Sequence, residues 1–462
     1  MKKRLFTLVL AVIMLLAVAG CNNSKSGKTG STDTSNVPVA NTKELKLPDY
    51  DVKDKEVTYI VSTDFSEEGS TNIWAEVRRM AKEKYDIDFK PIVVTLEEKA
   101  TVTMSKLAAG TPPSFVETHR TAAWFPRLSS EGIFVDVKTL INCEDMLWTD
   151  MKEYIDYYSI GDSSYACVTN VYAPETLYYN TKLIKNAGLT DPVELYKKGE
   201  WTWEKMLEYI DAACGDKNGD GRMDVYGMDL NRLGEGYVCS LGQGFTTIEN
   251  GKVSLSPITD GIYEKFGTFT SKLLARGSKG YYKPVTNPEE SAELLFSFGG
   301  YWGVVNNSTL YAKMKAGDLA IIPFPKNSEA DKYYMYGITS GYAISAAGNP
   351  VGAAAVLSCY RYLNYCNEEN NNRFYQGFID EGWNKDSAHI LTYDVNGLPG
   401  SYQNITLIPL GNDFASSEIK SVISCLETDV TEKQETWSSV RDKYLSRLKS
   451  AVDSANKIMT KK

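Results

Sequence analysis

The sequence predicts an α/β protein of two lobes, built from parallel-rich sheets flanked by helices. Three observations carry this. Short β-branched and aromatic runs alternate with stretches of helical apolar spacing from Glu56 onward. The folded body is about 410 residues long, too many for one ordinary core. Its 43% hydrophobic and 24% charged residues are those of a globular chain.

The N-terminus comes first. Lys2, Lys3 and Arg4 precede an apolar run from Leu5 to Ala19, the length of a signal-peptide core and short for a membrane span. It ends in Val18-Ala19-Gly20-Cys21. Small residues followed directly by cysteine resemble a bacterial lipoprotein signal, so residues 1–20 are expected to be removed and Cys21 lipidated. An ordinary cleaved signal or an uncleaved anchor is the alternative. Residues 21–49 are then the lipidated cysteine and a polar leash, since Ser, Thr, Asn, Gly and Lys cannot bury enough surface to order.

In the body, "EVTYIV" (Glu56 to Val61) predicts a first strand. Trp74, Val77, Met80-Ala81 and Tyr85 recur at helical spacing, with Thr71 or Asn72 as cap. "DFKPIVV" (Asp88 to Val94) predicts a second strand, and a helix through Met104 and Leu107 ends near Gly110. "SFVE" (Ser114 to Glu117) and "IFVDV" (Ile133 to Val137) read as further strands. Thr202 caps a stripe of Trp203, Met206, Leu207, Ile210 and Cys214, and Trp201 and Trp203 are assigned to packing. Pro350 opens a helix with Val356, Leu357, Tyr360 and Leu363 on one face. The tail from about Thr431 to Met459 carries Trp437, Val440, Tyr444, Leu448 and Val452 at helical steps.

Charge and motifs exclude several functions. A net charge of −9 without a basic cluster argues against nucleic acid. With Cys21 lipidated, seven cysteines remain and no C-x-x-C pair occurs, so buried free thiols are expected, with one or two disulfides open. No zincin, G-x-S-x-G or Walker pattern occurs, and there are only two histidines, His119 and His389. A surface glycoside hydrolase stays open as an alternative, because its two carboxyls leave no sequence signature. No catalytic residue is assigned.

"LYYNTKLIKNAGLTDPVELYKKGEWTWEKMLEYIDAA" (Leu177 to Ala213) resembles the signature region of the extracellular solute-binding proteins of ABC importers, the group that includes maltose-binding protein. "KLAAGTPPSFVE" (Lys106 to Glu117), "AELLFSFGGYWGVVNNSTL" (Ala292 to Leu310) and the stretch Ala320 to Leu363 are similar to further pieces in the family's order. The chain departs from the pattern at Ser114, where the family often has aspartate, and after Gly300, where a lysine is common. The resemblance implies a periplasmic-binding-protein-like fold of type II, with a ligand cleft between the lobes. Lobe one is then 50–173 plus 338–390, and lobe two 174–337 plus 391–462, with crossings near Tyr172 to Thr176 and Tyr336 to Ser340. A monomer is expected, tethered outside the cell by its lipid and handing its ligand to permease subunits.

The ligand expected is a mono- or oligosaccharide, because 30 Tyr and 8 Trp offer faces for sugar rings. The resemblance places a stacking aromatic at Trp302, with Tyr301 beside it. Asp64 and Phe65 follow the first strand, and His119 and Arg120 follow "SFVE", at the edge where open α/β sheets collect ligands. Trp124, the crossing residues Tyr172 and Glu175, and Trp383 on an expected polar loop complete the candidates. A non-sugar solute, such as a peptide, polyamine or ferric iron held by a tyrosine pair, keeps the fold and changes the ligand. A sensor role is equally compatible with the sequence.

"DKNGDGRMD" (Asp216 to Asp224) alternates oxygen-bearing residues. Asp216, Asn218, Asp220 and Asp224 take positions one, three, five and nine, and Arg222 offers a carbonyl at seven. Gly227 stands where a calcium-sensing hand needs glutamate. The loop is expected to hold one structural Ca2+, or else to be an Asx-rich turn without an ion.

Overall fold

The structure is a computed structural model that describes residues 45–66, 72–118, 124–172, 176–229, 240–241, 246–249, 252–255, 261–282, 293–299, 307–330, 332–336, 338–364, 368–394, 402–405, 429, 433 and 435–460. The leader, Cys21 and the leash as far as residue 44 lie outside them, and residues 45–49 of the leash lie within them, with Pro48 O accepting from Tyr85 OH at 2.6 Å. Among the described residues no helix is long and apolar enough to cross a membrane.

The first half supplies β1 (Glu56–Val61), β2 (Asp88–Val93), β3 (Phe115–Glu117), the short hairpin β4 (Ser159–Ile160) and β5 (Ser163–Ser164), and β6 (Cys167–Tyr172). The second supplies β7 (Thr176–Asn180), β8 (Val225–Asp229), the hairpin β9 (Thr246–Glu249) and β10 (Lys252–Leu255), β11 (Tyr281–Tyr282), β12 (Glu293–Gly299) and β13 (Leu319–Ile322). Then come β14 (Tyr333–Tyr336), β15 (Ile338–Ile344) and β16 (Tyr402–Ile405).

Two sheets of the same design result. In the first, β1 and β2 pair in parallel, and β3, β15 and β6 form a three-stranded ladder in that order. The amide of Ser114 donates to Thr58 O at 3.0 Å and joins the two parts. The second sheet runs β11-β8-β12-β7-β13. In each, one strand is antiparallel to both neighbours: β15 in the first and β7 in the second. Each of these enters directly after the chain has left the other half, β7 after β6 and β15 after β14. The apolar run of β13 is that of a strand covered on both faces. All four residues of β13 are buried.

Local chemistry explains the helices over the first sheet. Asn72 caps the helix Ile73–Tyr85 by accepting the amide of Trp74 at 3.0 Å. That helix buries Trp74, Val77, Ala81 and Tyr85. Trp74 stacks on Tyr360 of the helix Pro350–Asn364, with centroids 4.2 Å apart. On the second sheet, Thr202 caps the helix Trp203–Ala213 by accepting the amide of Lys205 at 3.2 Å. Trp201 and Trp203 are core residues there; Trp201 Nε1 donates to Pro323 O and Trp203 Nε1 to Ser240 Oγ. The helix Trp437–Met459 begins at its Thr436 cap and not near Thr431. Asn456 Nδ2 bonds Val253 O of β10 at 2.9 Å, and Arg441 pairs with Glu264 at 2.6 Å, fixing this helix to the second half.

Two expectations need correction. "IFVDV" is not a strand: Phe134 makes a single bridge to Ser345, and Asp136 caps a 3-10 turn at Val137–Thr139 by accepting the amide of Lys138. The side chain that ends the run therefore turns the chain away from the sheet. The stretch up to residue 390 does not all pack on the first sheet either. The helix Lys385–His389 lies against β13, where Ser387 Oγ accepts the amide of Ile321, and Asp386 pairs with Lys197 at 2.8 Å.

Candidate functional site: the strand ends at the chain crossings

The registers bring the ligand edges of both sheets to one place. Ile338, first residue of β15, pairs with Tyr172, last of β6. Tyr342 pairs with Glu117, so β3 also ends toward the crossing. In the second sheet Gly299 pairs with Thr176, the first residue of β7, and Ile322 with Leu177. Because β8 and β11 run parallel to β12 and β8 respectively, Asp229 and Tyr282 end on the same side. Both sheets thus direct their C-terminal strand ends at the two crossings, 172 to 176 and 336 to 338. Open α/β sheets bind ligands at that edge.

Nine of the ten groove candidates lie in the chain at these ends. Asp64 follows β1 and is half-buried. Its Oδ1 accepts both the hydroxyl and the amide of Ser66 at 2.7 Å, and these bonds hold its carboxyl below the usual range. It is a fixed, ionised acceptor. Phe65 is fully buried with its ring 4.8 Å from Phe89, so it belongs to the core beneath the edge and not to the groove. Trp124 opens the kinked turn Trp124–Leu128, and Tyr172 closes β6; the placement of both side chains lies outside what the structure describes. His119, Arg120, Glu175, Tyr301 and Trp302 lie outside the described residues.

Trp383 is a correction. It is buried, 4.9 Å from the Phe378 ring and 6.1 Å from that of Tyr311, and packs the helices 368–389 onto the second half. Polar neighbours in sequence concealed Phe378, five residues back, and Tyr311, 72 residues back.

Two carboxylates at these ends, one half-buried and one buried, escaped the sequence reading. Glu117 closes β3, and its Oε1 accepts from Lys99 Nζ at 2.7 Å and from Tyr59 OH. Burial, then the neighbouring Glu117 carboxylate, pushes the Tyr59 phenol well up. Asp229 closes β8, buried, with its Oδ2 3.4 Å from the amide of Phe298 in β12. The signal was present in both: an acid terminating an apolar strand, "SFVE" and "VYGMD".

One tyrosine pair is structural. Tyr178 and Tyr179 are core residues of β7, and Tyr179 OH donates to Asp191 Oδ1 at 2.6 Å.

The 216–224 loop closes on its own amides. Asp216 accepts from Gly219 and Gly221 at 2.7 and 2.8 Å, Asn218 from Asp220, Asp220 from Arg222, and Asp224 from Lys217. The Gly221 and Gly219 amides hold the Asp216 carboxyl below its ordinary range. Gly219 and Gly221 have φ of 78° and 84°, which only glycine adopts at little cost. These are Asx turns. Its all-oxygen donor set suits a hard cation, while among the described residues no three His, Cys, Asp or Glu side chains are gathered as a metal cluster.

Paired sheets whose ligand edges meet at strand crossings define a two-lobe binding protein. Residues 77–379 match the family model of the bacterial extracellular solute-binding proteins, and the chain belongs to that family. Its fold is the type II periplasmic-binding-protein-like fold, shared with solved structures at low identity. The galacto-N-biose-/lacto-N-biose I-binding protein of an ABC transporter from Bifidobacterium longum is similar at 14% identity and TM-score 0.58, covering 87% of this chain and 97% of that one. The sugar-binding protein MalE from Xanthomonas citri is similar at 13% and 0.59, over 88% and 100%. A sugar transporter from Rhizobium etli in an open conformation is similar at 15% and 0.59, over 86% and 99%. No curated protein sequence matches.

Proposed function

We propose that the protein is a lipid-anchored extracellular binding subunit that captures a mono- or oligosaccharide between its lobes and delivers it to an ABC permease. The observation that carries this is the meeting of both sheets' C-terminal edges at the crossings, where a ligand touches residues of both halves. Asp64 supplies a fixed acceptor on one side. The expected groove residues His119, Arg120, Tyr172, Glu175, Tyr301 and Trp302 add hydroxyl partners and faces for stacking. The sugar-binding relatives support a carbohydrate ligand.

Closure follows from linkage. A ligand that contacts both lobes binds the closed form better, and shifts the population by that difference alone. Cys21 carries the lipid in this reading, and the polar stretch after it lets the body reach a permease in the same membrane.

A thermal-shift screen of the soluble body tests the proposal. A ligand at 100 times its Kd adds about 2.7 kcal/mol to stability. We expect a sugar to raise the midpoint, and Trp302→Ala to abolish the rise in a protein that still folds. A panel in which a peptide or cation acts and no sugar does would overturn the carbohydrate assignment.

A further inference from the structure

We propose that Glu117, gripped by Lys99 and Tyr59, is a positioning residue for ligand binding, fixing the end of β3 that faces the crossings. The inference rests on the solute-binding reading above.

The cluster joins three elements. Lys99 is the first residue of the helix Lys99–Ala108, Tyr59 belongs to β1, and Glu117 ends β3. Lys99 and Glu117 side chains are only 10% and 14% exposed. Their surroundings are aromatic: the Tyr59 ring stacks on Phe115 at 4.7 Å and lies 5.0 Å from Trp74, with the Lys99 ammonium 5.1 Å from its centre. Two charges in such a place are a poor way to gain stability, because desolvation consumes most of their attraction. What an ion pair supplies over an apolar patch is a single geometry.

The next residue is fixed too. Thr118 is buried and donates its hydroxyl to Gly341 O at 3.1 Å. Gly341 sits where the pairing of β15 with β6 shifts register, and a Cβ there would lie 3.4 Å from Cys167 O. Consecutive side chains therefore tie the end of β3 to β1 on one side and to β15, the returning strand, on the other. The backbone that leaves Thr118 starts from a point fixed relative to the crossing, as a preorganised site requires.

The test separates position from stability. The triple variant Tyr59→Phe/Lys99→Met/Glu117→Leu replaces the pair and the hydroxyl bonded to it by apolar groups, an exchange that leaves no buried partner unpaired and often costs no stability. Glu117→Gln keeps the shape and removes the charge. Affinity is measured by calorimetry on whichever member of a panel of mono- and oligosaccharides, peptides and ferric citrate stabilises the wild-type protein. We expect Kd to rise roughly tenfold or more in both variants, with the triple variant melting near the wild-type midpoint and Lys99→Arg retaining affinity. Wild-type affinity in either folded variant overturns the proposal. A wild-type protein that answers only to peptide or ferric citrate overturns the sugar reading alone, since the comparison then runs on that ligand.

Discussion

The amide of Ile321, in the last strand of the second sheet, donates to Ser387 Oγ at 2.9 Å. Both residues are buried, and Ser387 is held in turn by the capping Asn384, whose Oδ1 accepts its amide at 2.7 Å. One hydroxyl thus fastens the helices 368–389 to the second half. Ser387→Ala leaves a buried strand N–H without its partner, and should cost about 1–3 kcal/mol in chemical denaturation. No loss would show that the helix is held by its apolar contacts alone.

Arg361 does the corresponding work in the first half. It is almost fully buried; its Nε donates to Leu147 O at 3.0 Å, its Nη1 to Thr169 O at 2.7 Å, and its Nη2 to Asp150. A single guanidinium thereby closes two carbonyls beside β6. Arg361→Leu should destabilise by roughly 3–5 kcal/mol, the range for breaking a buried charged network. Arg361→Lys should recover little, since an ammonium cannot reproduce the planar fork. Urea unfolding of the two variants checks this.

Stability should fall at low pH through Asp429. Bonds from Lys433 and Lys443, both 2.6 Å, and from Tyr444 lower its carboxyl to about 2. A depressed folded value stabilises above the unfolded value near 4, and the contribution is lost as pH drops through about 2. The lysines are half exposed, so screening limits the effect to on the order of 1 kcal/mol. Asp429→Asn should be less stable than wild type at pH 7 and equal to it near pH 2, measured by urea unfolding at each pH.

For the 216–224 loop we propose a structural calcium ion. Asp216, Asn218, Asp220 and Asp224 alternate on a chain already turned by Gly219 and Gly221. Calcium should raise the melting midpoint, a chelator should reverse it, and Asp216→Asn with Asp220→Asn should remove the response without affecting sugar affinity. A midpoint indifferent to calcium and chelator would leave the loop as the self-closed Asx turn.

Much of the frame was legible because periodicity and caps are local. Asn72 and Thr202 cap the helices that the sequence assigned to them, and the stripes Trp74–Tyr85 and Trp437–Val452 are buried. What failed was decided by distant partners. Phe65 reads as an edge residue until Phe89 covers it, and Trp383 reads as a loop residue until Phe378 and Tyr311 do. "IFVDV" has strand composition, but Asp136 spends its side chain on a turn. Glu117 and Lys99 are eighteen residues apart, and no pattern in the sequence pairs them. The groove assignments at Trp302 and Arg120 rest on family resemblance and position after a strand.

The most direct test of the whole is small-angle scattering of the soluble body with and without the sugar that stabilises it. Capture between two lobes predicts a smaller radius of gyration in the loaded protein, and no such contraction in Trp302→Ala at the same sugar concentration. Superimposable curves with and without a saturating sugar would contradict closure around the ligand.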